Sequence, residues 1–443
     1  MKMPRVPPDL NEILWKAVDP ERIYRVLSLG YNLPTTEKYL HWDVLRQLRA
    51  PEGYSHEEWW AALKIRRQGQ AKRVPLSDSK GKPFAYSTVD PIGEMLQKID
   101  QGAGGFIRMP EQITNPEMKD QYYVNSLIQE AITSSQLEGA ATMRAVAKEL
   151  IRTGRPPRDK SERMILNNFL TMRRISELKS KPLSIDLILD IHHIITEKTL
   201  EQDSAAGRFR LPNERIAVVD MYGEVFHDPP PAEQLAARMQ LMCDFANANV
   251  PQGFIHPVLR SIILHFWLAY DHPFIDGNGR VARALFYWSM LRHGYWLFEF
   301  VSISQIILKA PAKYGRAFLY TETDDNDLTY FVLQQLHVIG RAVKELHAYI
   351  ERKTSELQAV ESRLRGITML NHRQQALIGH ALRHPHQRYT FRAHQMSHNV
   401  VYQTARTDLL DLEHHGLLIG RKVGRTWYFT ASPDIEEKLL RLD

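Results

Sequence analysis

One cysteine in 443 residues, Cys243, excludes an internal disulfide and leaves no thiolate cluster to hold zinc. It lies in the apolar run Leu241-Met242-Cys243-Asp244-Phe245, where a free thiol packs as a small hydrophobe. No stretch approaches the roughly 18 uninterrupted apolar residues of a membrane helix. Met1 to Leu10 holds two basic residues and three prolines but no apolar core of a secretory signal. These absences make the cytoplasm the expected address and give no membrane partner. Charge of one sign is also scarce. A net charge of +6 tolerates an anionic partner such as a nucleotide or DNA without demanding one. With 44% hydrophobic and 24% charged residues the composition is globular, and the length suits two or three domains of about 100–200 residues.

Residues 1–114 read as an irregular, mostly helical leader. Within it, Gly69 to Phe84 (GQAKRVPLSDSKGKPF) is basic and rich in turn formers, which predicts an exposed loop. Gly102 to Pro110 is a second break, and the Trp59-Trp60 pair is expected to anchor the leader on the main body. A sharp helix signature spans 115–139. Asn115 can cap, Pro116 suits the first helical position, and Glu117 complements the positive helix end. Val124, Leu127, Ile128 and Ala131 then share one apolar face, and Gly139 is placed as a left-handed stop. From Lys160 to Asn249 the patterns stay helical except at 213–228 (NERIAVVDMYGEVFHD). There β-branched residues flank Met221-Tyr222-Gly223-Glu224, which predicts a β-hairpin closed off by Pro229-Pro230-Pro231.

The chemistry concentrates in His272-Pro273-Phe274-Ile275-Asp276-Gly277-Asn278-Gly279-Arg280-Val281-Ala282-Arg283. Upstream, Leu259, Ile262, Ile263 and Phe266 repeat on one helical face after Pro257; downstream, Val281, Leu285 and Trp288 mark the next buried face. The motif is therefore a helix–loop–helix corner. Gly277 and Gly279 free the backbone to turn N–H groups toward an anion, and the helix N-terminus adds positive potential. Asn278 offers an amide donor. Arg280 and Arg283 are neighbours on one face and suit phosphate oxygens. Asp276 is a hard oxygen ligand of the kind Mg²⁺ takes when shared with phosphates. His272 can accept a proton near neutral pH and activate a hydroxyl, while Phe274 plugs the core. Each residue alone is as well explained by structure. Together, within twelve residues, they supply every part of a phosphate-transfer site.

HPFIDGNGRVAR resembles the signature HxFx(D/E)GNGRxxR of the Fic family at every specified position. The resemblance covers roughly Thr114 to Leu346 and implies a mainly α fold: a Fic-type helical core, 115–346, with a β-hairpin flap. It implies transfer of AMP from ATP to a hydroxyl of a protein target or of the chain itself, with Mg²⁺ as cofactor. His272 would be the general base and Asp276 the metal ligand. The ATP site would comprise Glu138, Ile275, Asp276, Gly277, Asn278, Gly279, Arg280, Val281 and Arg283, with Arg283 at the γ-phosphate. The related Doc-type kinases carry lysine in place of the second motif glycine; Gly279 here favours AMP transfer. The flap, 213–228, would take the target's backbone along Ile216, Ala217, Val218 and Val219. Ser134-Ser135-Gln136-Leu137-Glu138-Gly139 is similar to the family's inhibitory motif (S/T)xxxE(G/N), so Ser134, Glu138 and Gly139 would form a brake in which Glu138 pairs with Arg283. The chain departs from many relatives where an Asn-Arg pair and two tyrosines contact adenine. It reads Leu308-Lys309-Ala310-Pro311-Ala312-Lys313-Tyr314-Gly315, with Tyr314 standing for the first tyrosine. Net removal of AMP, transfer of another phosphate-linked group, and an ATP-sensing DNA-binding regulator stay open as alternatives. Sensing alone does not require His272.

A charged helix, 347–365, links this core to a tail, 366–443. Helices at Arg373–His384 and Val400–His414, the latter turning Val401, Thr404, Ala405, Leu409 and Leu412 inward, precede two strands in Leu417–Thr430. That order predicts a winged helix, a module that contacts DNA or protein or supports a homodimer. From Asn371 onward ten basic residues face seven acidic ones. That is weakly basic for a DNA reader. Asp408, Asp411 and Glu413 would repel phosphates, whereas Arg421, Lys422 and Arg425 could meet them.

Overall fold

The computed structural model describes residues 2–16, 19–32, 38–104, 116–219, 222–249, 253–366, 369–424 and 426–439. The chain divides into two compact units, residues 1–107 with 125–344 and residues 108–124 with 345–443. The expected helix start at Asn115 and the wing residue Arg425 lie outside the described residues, as do the side chains of Glu117 and Val124.

The first unit opens with helices α1 (Leu10–Lys16), α2 (Pro20–Asn32), α3 (Trp42–Leu45) and α4 (His56–Gly69). A reciprocal Ser55–Glu58 capping box starts α4. Trp59, Trp60 and Leu63 then pack with Ile13, Val26 and Leu45 into a local core. A Cβ on Gly30 would come within 2.7 Å of the Ala62 carbonyl, so glycine sets how closely α2 can approach α4. The tryptophans thus serve the leader's own core, and the link to the body is polar and aromatic. The His41 ring stacks on Tyr320 at 4.3 Å, Arg67 donates to the Tyr330 hydroxyl at 3.0 Å, and Lys64 pairs with buried Asp324.

The expected exposed loop is instead a hairpin, β1 (Ala71–Ser77) and β2 (Pro83–Ser87), paired in the register Ala71↔Ser87 to Ser77↔Pro83. Val74, Leu76, Phe84 and Tyr86 are buried, and the Phe84 ring lies 5.4 Å from Phe266 and 4.9 Å from Tyr270. Its strand residues alternate inward and outward, which outweighs the turn formers at its tip. After α5 (Asp90–Ile99) comes α6 (Pro116–Leu137), with Leu127, Ile128, Ala131 and Ile132 buried. Helices α7 (Arg144–Thr153), α8 (Lys160–Leu178) and α9 (Ile185–Thr196) follow, then the short pair β3 (Val218–Val219) and β4 (Val225–His227), then α10 (Leu235–Ala246). Cys243 on α10 is buried, and burial pushes its thiol up to about 12.

At the centre stand α11 (Pro257–Asp271) and α12 (Asn278–Arg292), both almost wholly buried. Each buried Leu, Ile or Phe contributes about 1.5–3 kcal/mol, so this pair is the rigid floor of the unit. Ser261 donates to Ser289 at 2.8 Å where the two helices meet. Helices α13 (Ile303–Leu308), α14 (Pro311–Thr323) and α15 (Thr329–Gly366) complete the series.

The second unit contains α16 (His372–Arg383), α17 (Phe391–His398), α18 (Tyr402–His414), the hairpin β5 (Leu418–Val423) with β6 (Thr426–Ala431), and α19 (Ile435–Leu439). Leu377, Ile378, Phe391, Leu409, Leu412 and Phe429 form its core, and a Tyr389–Phe429 bridge adds a third extended segment to the hairpin. Val401, expected on the inner face, precedes α18 and is 68% exposed. Asp408 is buried, where it accepts from Arg373 at 2.8 Å, Asn371 at 2.9 Å and His394 at 3.1 Å. Asp411 accepts from Gln374 at 2.7 Å and Glu413 from the Gly420 N–H at 3.1 Å. These acids are internal ties of the module, so the expected repulsion of phosphates by Asp408 falls away. Among the described residues no helix is long and apolar enough to cross a membrane.

Candidate active site

The turn between α11 and α12 is built from constrained backbone. His272 ends α11 with φ +46. This left-handed conformation costs a non-glycine residue about 1–2 kcal/mol, so the surroundings must impose it. Arg210 does so. Its Nε–H donates to the His272 carbonyl at 3.0 Å, its main-chain N–H to the Pro273 carbonyl at 2.9 Å, and its Nη2 to Pro230. The His272 Nδ1 lies 3.0 Å from the Ala269 carbonyl, an acceptor only, so Nδ1 carries the proton and Nε2 keeps a lone pair. Burial lowers the His272 pKa below its usual 6.5, which keeps the ring neutral near pH 7.

The loop's anchor is Phe274, fully buried and stacked on His192 at 3.7 Å with 4° between the rings. The Gly207 N–H donates to His192 Nδ1 at 3.0 Å, so Nε2 carries the proton and donates to the Asp276 carbonyl at 3.0 Å. Burial pulls the His192 pKa down to about 4, so this geometry holds a neutral ring. Asn278 staples the same loop. Its Oδ1 accepts from the Phe274 N–H at 2.9 Å and its Nδ2 donates to the Phe274 carbonyl at 2.8 Å. One of the two amide donors of Asn278 is therefore used inside the loop. Val281 is likewise a core residue whose N–H bonds Gly277 at 3.0 Å, and Ile275 is 37% exposed at the loop surface.

What remains open is an anion cradle. Gly277, with φ +86, starts α12, and a Cβ there would meet Thr196 Cγ2 at 2.9 Å, so glycine is required twice over. The N–H groups of Asn278, Gly279 and Arg280 have no acceptor among the described residues, and no side chain caps them. Arg280 lies beneath, 1% exposed, with one nitrogen donating to the Ile195 carbonyl at 3.1 Å. Its Nε has no partner and its Nη2 only the Asp276 carboxylate at 3.5 Å. A buried unsatisfied donor on a cation costs about 1–3 kcal/mol or more, which an anionic ligand would offset. Burial lowers the Arg280 pKa, with Asp276 and Glu138 working against it.

Glu138 closes this cradle. Helix α6 ends in a Schellman motif: Ala140 N–H bonds Ser135 at 3.0 Å, Gly139 N–H bonds Gln136 at 3.1 Å, and Gly139 has φ +90. Glu138 is thereby delivered to Arg283, whose Nη2 donates to Oε1 at 2.9 Å. Arg283 also donates to the Ser134 hydroxyl at 2.9 Å and the Ser134 carbonyl at 3.0 Å. Burial alone would lower the Arg283 pKa, but Glu138 beside it prevails and raises it. The carboxylate covers Gly279 so closely that a Cβ there would lie 2.2 Å from Oε1. The sequence-expected residues Ser134, Glu138, Gly139, Gly279 and Arg283 are thus brought together. Tyr314, expected toward adenine, turns its hydroxyl to His265 at 2.9 Å and lies within the field of Arg283.

Three residues carry no signal in the sequence: Arg210, His192 and Glu130. Glu130, one turn-pair before Glu138 on α6, is buried and accepts from Tyr287 at 2.9 Å, Ser302 at 2.8 Å, the Ser304 N–H at 3.2 Å and the Ser304 hydroxyl. It fixes the helix that carries Glu138. The flap's Val218 and Val219 are exposed, with Ile216 half-buried and Ala217 exposed; Asp220 and Met221 lie outside the described residues. At the flap's base, His227 meets Glu322 at 2.7 Å and the Tyr270 carbonyl at 2.6 Å. Burial opposes its protonation, but Glu322 and the carbonyl prevail and raise its pKa.

Residues 182–290 match the profile of the Fic/DOC family. The protein adenylyltransferase Fic of Nematostella vectensis is 27% identical over 205 residues, 46% of this chain and 45% of that protein. That of Drosophila willistoni is 41% identical over 69 residues, 16% of this chain and 14% of its own. The chain therefore matches less than half the length of these relatives. A Fic family protein from Desulfovibrio desulfuricans has a crystal structure that aligns with a TM-score of 0.51 at 18% identity, covering 79% of this chain and 98% of that one. The likeness there is one of fold.

Proposed function

We propose that this chain, which carries a Fic domain over residues 182–290, is a cytoplasmic protein adenylyltransferase held in check by Glu138. One observation supports the reading most. A neutral histidine with a free Nε2 lies on the same short loop as three unpaired N–H groups and a buried arginine with orphan nitrogens. A base and an anion cradle on one rigid turn are what nucleotidyl transfer to a hydroxyl needs, since such transfer depends on positioning and charge stabilisation.

In this mechanism the N–H groups of Asn278, Gly279 and Arg280, with the Arg280 side chain, hold the α- and β-phosphates of ATP. Arg283 orients the γ-phosphate. His272 Nε2 takes the proton from the acceptor hydroxyl as its oxygen attacks the α-phosphorus. The bond from that phosphorus to the β-bridging oxygen breaks, and pyrophosphate leaves. The half-exposed carboxylate of Asp276 fits a Mg²⁺ shared with phosphates; no larger acidic cluster is present among the described residues. That ion, when bound, would neutralise phosphate charge. Gly279, where the kinase pattern has lysine, favours AMP transfer.

ATP labelled at either the α- or the γ-phosphate tests the reading. Protein-bound label from α alone supports it; label from γ alone supports a kinase, and label from neither a sensor. The tail, 366–443, is proposed as a winged-helix module that docks DNA or protein, with residues 1–114 as leader and 347–365 as linker.

A further inference from the structure

Two cavities meet beside the catalytic loop. One, of about 400 Å³, is lined by Ile275, Asp276, Arg215, Ile216 and Lys160. The other, of about 410 Å³, reaches Arg158, Arg163 and Lys198. They share Lys160, Thr199, Leu200 and Glu201, so they form one trough from Asp276 to the first turn of α8.

Unpaired cations outnumber unpaired acids along it. Arg158, Lys160, Arg163 and Arg215 have no ion-pair partner among the described residues. Of the acids, Glu214 is taken by Arg208 through bonds of 2.9 and 2.7 Å. Asp159 accepts the Glu162 N–H at 2.7 Å as a helix cap, and Glu201 and, at the loop end, Asp276 remain. Arg158, Lys160 and Arg163 also crowd the positive end of a 19-residue helix, where cations carry an electrostatic cost that Asp159 and Glu162 on the same turn reduce. An anionic ligand in the trough would offset that cost. The walls are not purely polar: Leu200, Ile216 and Ile275 add apolar surface that a free phosphate would leave unused and a peptide would cover. Ile216 is two residues from the exposed strand Val218–Val219.

We propose that this trough docks an acidic stretch of the protein acceptor, next in sequence to the hydroxyl that is modified. The inference rests on the adenylyl-transfer reading for what an acceptor is, and it adds the acceptor's chemical class. Arg163, half-buried, and Lys160 at the shared middle of the trough carry most of the selectivity, with Arg215 beside the flap.

The test separates docking from chemistry. A fluorescein-labelled decapeptide with threonine among glutamates is titrated into the full-length protein at low salt, with fluorescence anisotropy as the readout. The wild type is expected to bind it, more weakly as salt rises. Lys160→Glu/Arg163→Glu should weaken binding by roughly tenfold or more. Lys72→Glu/Lys181→Glu, the same charge change elsewhere, should alter it less than about twofold. An equal loss in that control, equal binding of a glutamine version of the peptide, or tighter binding of a labelled oligothymidine would overturn the proposal. In the Glu138→Gly background, α-labelled ATP should mark the acidic peptide in preference to the glutamine one. That preference should vanish with Lys160→Glu/Arg163→Glu while automodification continues. Loss of automodification in Glu138→Gly itself would instead sink the transfer reading, and the binding titration would still decide the docking.

Discussion

Glu138 Oε1 accepts from Arg283 Nη2 at 2.9 Å, and the same oxygen covers the Cα of Gly279. One carboxylate thus occupies both the arginine proposed for the γ-phosphate and the mouth of the anion cradle. Glu138 is 27% exposed whereas Arg283 is 2% exposed, so the carboxylate is the partner that can leave. Ser134 keeps two bonds to Arg283, which holds the guanidinium in place when Glu138 is gone.

Glu138→Gly should therefore raise automodification at least about tenfold, a change that needs only about 1.4 kcal/mol in the productive pose. Arg283→Ala should be inactive in both backgrounds. Incorporation of α-labelled ATP by the four proteins under one Mg²⁺ condition checks both statements. Equal or lower incorporation by Glu138→Gly, with fold and ATP affinity intact, would remove the inhibitory role.

Gly279→Ala places a methyl where Glu138 now sits, and the other near atom is only the tip of Arg283. The carboxylate can swing aside, so the cost is the loss of its bond to the buried Arg283. In thermal unfolding, Gly279→Ala should lower Tm in the wild type and lower it less in the Glu138→Gly background. Additive losses would show that the two groups do not compete for this space.

His272→Ala should abolish transfer and leave ATP affinity within a few-fold, because a positioned base contributes about 10²–10⁴-fold in rate. Burial favours the neutral ring, so the working form persists as pH falls past 6.5. For the Glu138→Gly enzyme, kcat/KM should hold a plateau to below pH 6.5 and decline as pH drops through the lowered pKa of His272. A decline centred above 6.5 would contradict the assignment.

The helix corner and the Glu138–Arg283 pair are legible in the sequence for different reasons. Leu259, Ile262, Ile263 and Phe266 repeat on a helical period, and Gly139 stops α6 where the Schellman bonds form. The β1–β2 hairpin is not legible, because Pro75 and the turn formers dilute the alternation of Val74, Leu76, Phe84 and Tyr86. The loop staple made by Asn278 is not legible, because an amide that binds phosphate and one that staples a loop look alike in sequence. Arg210, His192 and Glu130 act on partners far along the chain, and no local spacing marks them.

For the tail, Arg421 and Lys422 are exposed on β5. If the module meets DNA, affinity in gel shifts of the full chain should fall steeply with salt. Arg421→Glu/Lys422→Glu should then flatten the log–log slope by about 0.9 for each phosphate these side chains neutralise. No shift at low salt with a folded protein would point to docking of protein.

The most direct measurement of the central claim is incubation of the Glu138→Gly protein with Mg²⁺ and ATP labelled at the α- or the γ-phosphate. The account predicts protein-bound label from α alone, absent in Glu138→Gly/His272→Ala. Label from γ, or none from either position in a folded protein that binds ATP, would contradict it.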